Sequence, residues 1–290
     1  MNAFPVEPGD FPDPFVLMSG GRYYAYGTNG RGSNVQVMSS PDLATWTRHG
    51  DALPVLPSWA EAGNTWSPAV LARGDTFVLF YVTRFRRWGR QAISVATADR
   101  PEGPFRDVST APMIFQRRFG GSIDPSPYVD VDGQAYLLWK ADANAVGRRV
   151  SLWAQPLSAS GQTLLGRPTR LLVQDSEWEH PLIEAPALVM NGGIYYLFYS
   201  ANWWMSENYG IGYATAGDVL GPYVKATRNG PWLGSGRGVA GPGGQEFFVD
   251  ADGVLRMAYH GWQPGAVGYP RGARSLRIAR LTFDDGPRIG

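Results

Sequence analysis

The sequence predicts an all-β chain folded as a five-bladed β-propeller. Three observations predict it: a five-fold repeat of glycine-led hydrophobic runs, a second series of short strands in step with the first, and the absence of any long run with the 3.6-residue apolar period of an amphipathic helix. The runs are Gly21–Gly27 (GRYYAYG), Gly74–Tyr81 (GDTFVLFY), Gly133–Trp139 (GQAYLLW), Gly193–Tyr199 (GIYYLFY) and Gly253–Tyr259 (GVLRMAY). Their opening glycines lie 53, 59, 60 and 60 residues apart. That beat is too regular for unrelated hairpins and near the longer repeats that build propeller blades.

Each unit can be read in order. Ahead of the glycine lies a short β-prone element: DPFVLM from Asp13, SPAVLA from Ser67, DPSPYVDV from Asp124, EAPALVM from Glu184 and QEFFVDA from Gln245. A short element closed by a Gly-bearing turn and followed by a hydrophobic run reads as a hairpin. The third element repeats on the same beat as VMSS from Val37, VATA from Val95, WAQP from Trp153, YATA from Tyr213 and IARL from Ile278. An outer edge is echoed by PDLATW from Pro41, RPEGPF from Arg100 and DVLGPY from Asp218. Each unit therefore holds at least three strands, and four-stranded blades arranged in a closed ring leave only short, protected edges. The repeat fills the chain from about residue 10 to residue 285, so residues 1–290 are expected to form one propeller domain, where length alone would suggest two.

Composition agrees. Thirty-seven Gly and 23 Pro punctuate the chain, and 44% hydrophobic residues supply a core. Lys plus Arg is 26 against 25 Asp plus Glu, a formal net charge of +1, so nothing in the overall balance recruits nucleic acid or an anionic membrane. The one basic cluster, Arg84, Arg86, Arg87 and Arg90 with Phe85 and Trp88 between them, reads as a solvated loop between two blade-two strands. Cysteine is absent, which excludes disulfides and thiolate chemistry and fits either redox compartment. The N-terminus MNAFPVEPGD lacks a basic region followed by an apolar stretch, and no segment approaches 18 consecutive apolar residues. The expectation is a soluble monomer, cytoplasmic or secreted with its leader removed.

The chemistry lies in three acids. In a propeller the innermost strand of each blade lines the central channel, so residues at its start converge on the axis. Asp13 precedes its blade glycine by 8 residues, Asp124 by 9 and Glu184 by 9; the blade-two and blade-five equivalents fall near Ser67 and Gly244. Alone, Asp13 and Asp124 before proline are ordinary turn openers. Glu184, between Ile183 and Ala185 in an apolar strand, is costly to bury without a partner or a task. Three carboxylates held close raise at least one pKa. One loaded acid beside one ionised base is what glycosidic hydrolysis requires.

The segments FPDPFV, GSIDPSPYVDVDGQAYLLW, LIEAPALVMNGGIYYLFYS and MAYHGW together resemble glycoside hydrolase family 43, five-bladed propeller enzymes acting on arabinose- and xylose-containing glycans. The resemblance extends over nearly the whole chain. It implies Asp13 as general base, Asp124 as the acid that tunes and orients, Glu184 as general acid, and inversion at the anomeric carbon. It also implies substrate contacts from Trp66 and Arg274, with Arg277 as a rival on the opposite strand face. Trp203, Trp204 and Tyr209, in the loop after the fourth-blade strand YYLFYS, are expected to border the cleft, Trp203 as a further substrate contact. No cofactor is required, but the resemblance implies a structural calcium at the channel axis near His260, although one His without carboxylate ligands makes a poor all-protein calcium cage. Gly244 stands where arabinan-cutting members carry the histidine of GPGH, and no residues remain for the second domain usual in β-xylosidases. An exo-acting α-L-arabinofuranosidase on arabinan- or arabinoxylan-derived glycans is therefore expected, ahead of β-xylosidase, endo-arabinanase or β-galactosidase. A carbohydrate-binding propeller without catalysis would need no matched carboxylates.

Overall fold

Alternation along the strands decides how the chain packs. In the computed structural model, which describes residues 5–6 and 9–290, the strand at Thr76–Phe85 sends Val78, Phe80 and Val82 to one side, and Phe77, Leu79 and Tyr81 to the other. The first set packs against Leu137 and Trp139, the second against Phe15 and Tyr26. A sheet apolar on both faces must be covered on both, and radial stacking does this. Five apolar clusters result, one between each pair of neighbouring sheets, including the pair that joins the last sheet to the first. The expected five-bladed propeller is what the chain forms.

Blade 1 comprises β1 (Phe15–Ser19), β2 (Arg22–Gly27), β3 (Gln36–Ser40) and β4 (Thr47–Arg48); blade 2 comprises β5 (Ala60–Arg73), β6 (Thr76–Phe85) and β7 (Arg90–Ala98). Blade 3 runs β8 (Ser122–Val129), β9 (Ala135–Ala141), β10 (Ser151–Pro156) and β11 (Thr169–Val173). Blade 4 runs β12 (Ile183–Asn191), β13 (Ile194–Ala201), β14 (Gly210–Ala216) and β15 (Val224–Lys225), and blade 5 runs β16 (Ala240–Val249), β17 (Leu255–Trp262), β18 (Ser275–Asp284) and β19 (Gly286–Ile289). Neighbours within each sheet are antiparallel. Blade 2 departs from the four-strand expectation: past β7 the chain makes only isolated bridges, Thr97 with Arg106 and Ile93 with Ile114. Its arginine cluster sits on the β6–β7 hairpin, where Arg84 lies 3.6 Å from Glu61 and Arg86 donates to the Ala60 carbonyl at 2.9 Å.

The first strands β1, β5, β8, β12 and β16 contact one another in sequence around the axis, and β16 closes back on β1. Closure is reinforced by backbone bonds from Val6 and Phe11 to the Leu276 and Arg274 carbonyls, at 3.0 and 2.9 Å. The MNAFPVEPGD segment read for a leader lies partly outside the described residues. Among those described, no helix is long and apolar enough to cross a membrane.

Candidate active site

One backbone irregularity, repeated in all five blades, builds the site. Asp13, Ser67, Asp124, Ala185 and Gly244 all have positive φ, at 52, 43, 54, 49 and 60°. In the first four the next residue is proline. The β5, β8, β12 and β16 ladders each shift register at this point. A bulge with left-handed backbone re-aims the adjacent side chains, and a non-glycine residue holds this conformation only where its surroundings enforce it.

This repeat corrects the phase expected for Glu184. The blade-four equivalent of Asp13 and Asp124 is Ala185; Glu184 stands one residue earlier, in the position that Trp66 takes in blade 2. Counting back from the glycine misplaces it because hairpin length varies. β8 and β9 are joined through five residues, Asp130–Gln134, whereas β12 and β13 are joined through Gly192 and Gly193 alone. The side chain still reaches the cleft. Asp13, Asp124 and Glu184 all line one cavity of about 560 Å³, together with Trp66, Trp203, Trp204, Tyr209 and Arg274. Arg277, the rival of Arg274, is fully buried, with a guanidinium nitrogen 3.5 Å from the Gly238 carbonyl.

The acids are fixed by hydrogen bonds that pass through every blade. The Thr28 hydroxyl donates to Asp13 Oδ2 at 2.5 Å and accepts from Ser67 N at 3.0 Å. Ser67 Oγ donates to Asp124 Oδ1 at 2.8 Å, and Ala185 N donates to Asp124 Oδ2 at 2.9 Å. Gln245 Nε2 donates to the Ala185 carbonyl at 2.7 Å. The circle closes where Asp13 N donates to His260 Nδ1 at 3.0 Å. Arg274 approaches Asp13 Oδ1 to 3.5 Å and lies over the Trp204 ring at 4.5 Å. Its position is set from Asp10, which accepts from Arg274 N and from the Tyr269 hydroxyl, each at 2.9 Å.

Glu184 is held differently. Buried Lys140 of β9 donates to Oε2 at 3.0 Å, and the Tyr209 hydroxyl donates to Oε1 at 2.8 Å. Burial alone would strip the Lys140 proton, but Glu184, Asp142 and Asp124 together outweigh it and its pKa is raised. Asp124 is pushed up to about 7, first by burial and then by the Glu184 charge, with Lys140 opposing. Of the three expected acids, Asp124 is thus the one whose pKa is raised by burial and by a neighbouring carboxylate. Glu246, on the same cleft wall, is pushed up to about 8, chiefly by burial.

Glycine is required at two points of this wall. A Cβ at Gly243 would stand 2.0 Å from the Tyr209 ring, and one at Gly244 would stand 2.6 Å from the His260 ring at a φ of +60°. The absence of a histidine at position 244 thus follows from how tightly His260 packs beneath it. His260 is fully buried, and its pKa is lowered well below the usual value by burial and by Arg274. Its Nε2 has no hydrogen-bond partner, and no group of three or more His, Cys, Asp and Glu that could hold a metal occurs among the described residues. One ring nitrogen falls short of the six to eight oxygen ligands that calcium takes, so these residues do not form a protein-built calcium cage.

Of the functional neighbours, Lys140, Thr28 and Asp10 escape sequence reasoning, whereas Ser67 is read there as the blade-two equivalent. The proline after the bulge is the signal that places Ser67. Lys140 could have been found as one of only two lysines in the chain, lodged at the end of an apolar strand.

Paired carboxyls at the mouth of a propeller channel, walled by tryptophans and an arginine, define a glycoside hydrolase site. The family model for Glycosyl hydrolases family 43 matches residues 3–287, and the chain belongs to that family. It is 28% identical over 269 residues to the beta-D-galactofuranosidase xynD of Aspergillus niger, covering 84% of this chain and 74% of that protein. It is also 28% identical over 255 residues to the arabinoxylan arabinofuranohydrolase of Bacillus subtilis, covering 73% of this chain but 48% of that one, so the chain spans about half of this relative's length. A crystal structure of a thermostable family-43 glycoside hydrolase superposes with a TM-score of 0.86 at 29% identity, covering 97% of this chain and 92% of the other.

Proposed function

We propose that this glycoside hydrolase is an inverting, exo-acting α-L-arabinofuranosidase. The observation that carries the reading is the pair of differently held carboxyls, Asp13 beside Arg274 and Glu184 between Lys140 and Tyr209. Asp13, ionised, takes a proton from a water on the face of the sugar opposite the leaving group. Glu184 delivers a proton to the departing glycosidic oxygen in the same step, and Asp124, whose pKa is raised, is the neighbouring group through which that proton is replenished. Entry of the acids from blades 1 and 4 supports inversion, since it leaves room for the water.

Exo action is supported by asymmetry. Tyr269, Asp10, Arg274 and Trp204 pack together on the Asp13 side of the cleft, whereas the Glu184 side runs out toward the 3₁₀ turn at Ala143–Val146. Trp66 and Trp203, which line the cleft, present faces suited to the apolar side of a sugar ring. The arabinofuranosidase choice draws on the Bacillus relative, and the Aspergillus relative favours a second reading, β-D-galactofuranosidase. The two sugars share ring configuration and differ in the exocyclic arm. A panel of nitrophenyl glycosides tests both readings: α-L-arabinofuranoside is expected to be turned over fastest, ahead of β-D-galactofuranoside, β-D-xyloside and β-D-galactoside. Preference for any of the other three would overturn the choice of sugar.

No step of this reaction passes through a metal. A calcium on the axis, with His260 as its one protein contact and water for the rest, remains a proposal drawn from family resemblance. A fall in Tm on chelation, reversed by added calcium, is its expected sign, and an unchanged Tm removes it.

A further inference from the structure

A second cavity, of about 570 Å³, adjoins the cleft, and Asn144 lines both. Its walls are the two loops that lead to the acid end of the site. One follows Lys140 through Asp142 and the turn at Ala143–Val146 to Arg148 and Arg149; the other passes through Ser176 and His180 just ahead of Glu184. The general acid faces the leaving group, so a groove built from its flanking loops lies where the chain bearing that leaving group must run.

Two arginines, Arg148 and Arg149, and two acids, Asp175 and Glu177, line the groove, in a chain whose formal net charge is +1. Arg148 and Arg149 are exposed, and among the described residues neither has a carboxylate at ion-pair distance. Arg148 donates to the Arg118 carbonyl at 3.0 Å and Arg90 to the Ala145 carbonyl at 3.3 Å, which ties the groove to the arginines of the blade-two hairpin. Of the two acids on the groove wall, Asp175 is taken by Lys225 at 2.6 Å, leaving Glu177 without a cation partner among the described residues. No Phe, Tyr or Trp lines the groove, so a stacked neutral sugar is not what it is built to hold. Paired guanidinium forks suit carboxylates.

We propose that this groove binds the backbone of an acidic polysaccharide, a glycan carrying uronate carboxylates, from which the enzyme removes a neutral side-chain sugar. The inference rests on the glycosidase reading for its direction, but the binding experiment stands apart from turnover. Calorimetry with oligogalacturonate should show binding by the wild-type protein that weakens with salt, and the Arg148→Ala/Arg149→Ala variant should bind about ten-fold more weakly. The same variant should show a raised KM on side-chain sugars carried by an acidic polymer, with nitrophenyl glycoside turnover unchanged. Equal binding by both proteins would overturn the proposal, as would wild-type affinity for a neutral xylo-oligosaccharide or for single-stranded DNA that matches oligogalacturonate. Should no nitrophenyl glycoside be cleaved, the glycosidase reading fails while the calorimetry still decides the groove.

Discussion

The two lysines of the chain do the same electrostatic work in two places. Lys140, 1% exposed at its side chain, sits between Glu184 at 3.0 Å and Asp142 at 3.4 Å, facing the cleft. Lys225, 2% exposed, sits between Glu179 at 2.7 Å and Asp175 at 2.6 Å, under the outer edge of blade 4. Their carboxylates differ in saturation. Glu179 is fully buried and also accepts from Asp175 N, Ser176 N and the Tyr199 hydroxyl, which caps the 3₁₀ turn at Glu177–Glu179. Glu184 has two protein donors and an edge open to the cleft, with 11% of its side chain exposed. A carboxylate whose lone pairs are all taken can only hold structure; one left partly open can exchange a proton with a substrate.

The comparison breaks most visibly on the acids themselves. Glu184→Gln should lower turnover of an unactivated oligosaccharide by on the order of 10²- to 10⁴-fold and leave Tm near wild type, because only proton delivery is lost. Glu179→Gln should do the reverse, lowering Tm while the folded protein keeps its kcat. Steady-state kinetics and calorimetry on both variants decide it, and a Glu179 variant that stays folded but inactive would contradict the division.

Next come the lysines. Lys225→Met leaves Glu179 charged and buried without its cation, a loss of about 3–5 kcal/mol that should lower Tm by roughly 10 °C. Lys140→Met should cost less stability, since cleft water can reach Glu184, but lower kcat by about a hundred-fold through misplacement of the acid. Equal losses of Tm from the two variants would show that Lys140 is a structural counter-ion like its twin.

The smallest effect is on stability against pH. Asp124 titrates near 7 in the folded chain and near 3.9 when unfolded, so the folded state holds the extra proton between those values. The stability this group contributes is present in full below about pH 4 and is lost as pH rises through about 7. Asp124→Asn removes that slope, so its Tm should rise relative to wild type between pH 5 and pH 8. Glu246, pushed up to about 8, gives both proteins a background of the same sign. Parallel Tm profiles for the two would show that Asp124 does not carry the raised pKa.

The propeller was legible because the properties that build it are local. Strand alternation in Phe77–Val82 and the Gly-led turns survive in one sequence without knowledge of partners. Convergence of the acids followed from the fold, and Asp13 and Asp124 occupy the expected phase. Glu184 did not, because a turn of two residues or five shifts any count made from the glycine. The proline after each bulge carried the true phase, as DP, SP, DP and AP. Lys140, Thr28 and Asp10 were illegible for another reason: they come from a second strand, the chain just after one and the N-terminal segment ahead of β1, and only the closed ring brings them to the carboxyls. The groove at Arg148 and Arg149 likewise forms from two loops, one within blade 3 and one joining blade 3 to blade 4.

The central claim is that Asp13 directs water, and Glu184 a proton, at opposite faces of one sugar. Proton NMR of the first sugar released, read before mutarotation, tests it most directly. The account predicts a product of anomeric configuration opposite to the substrate, with none transferred to added methanol with retention. A retained anomer, or a glycosyl group trapped on Asp13, would contradict it.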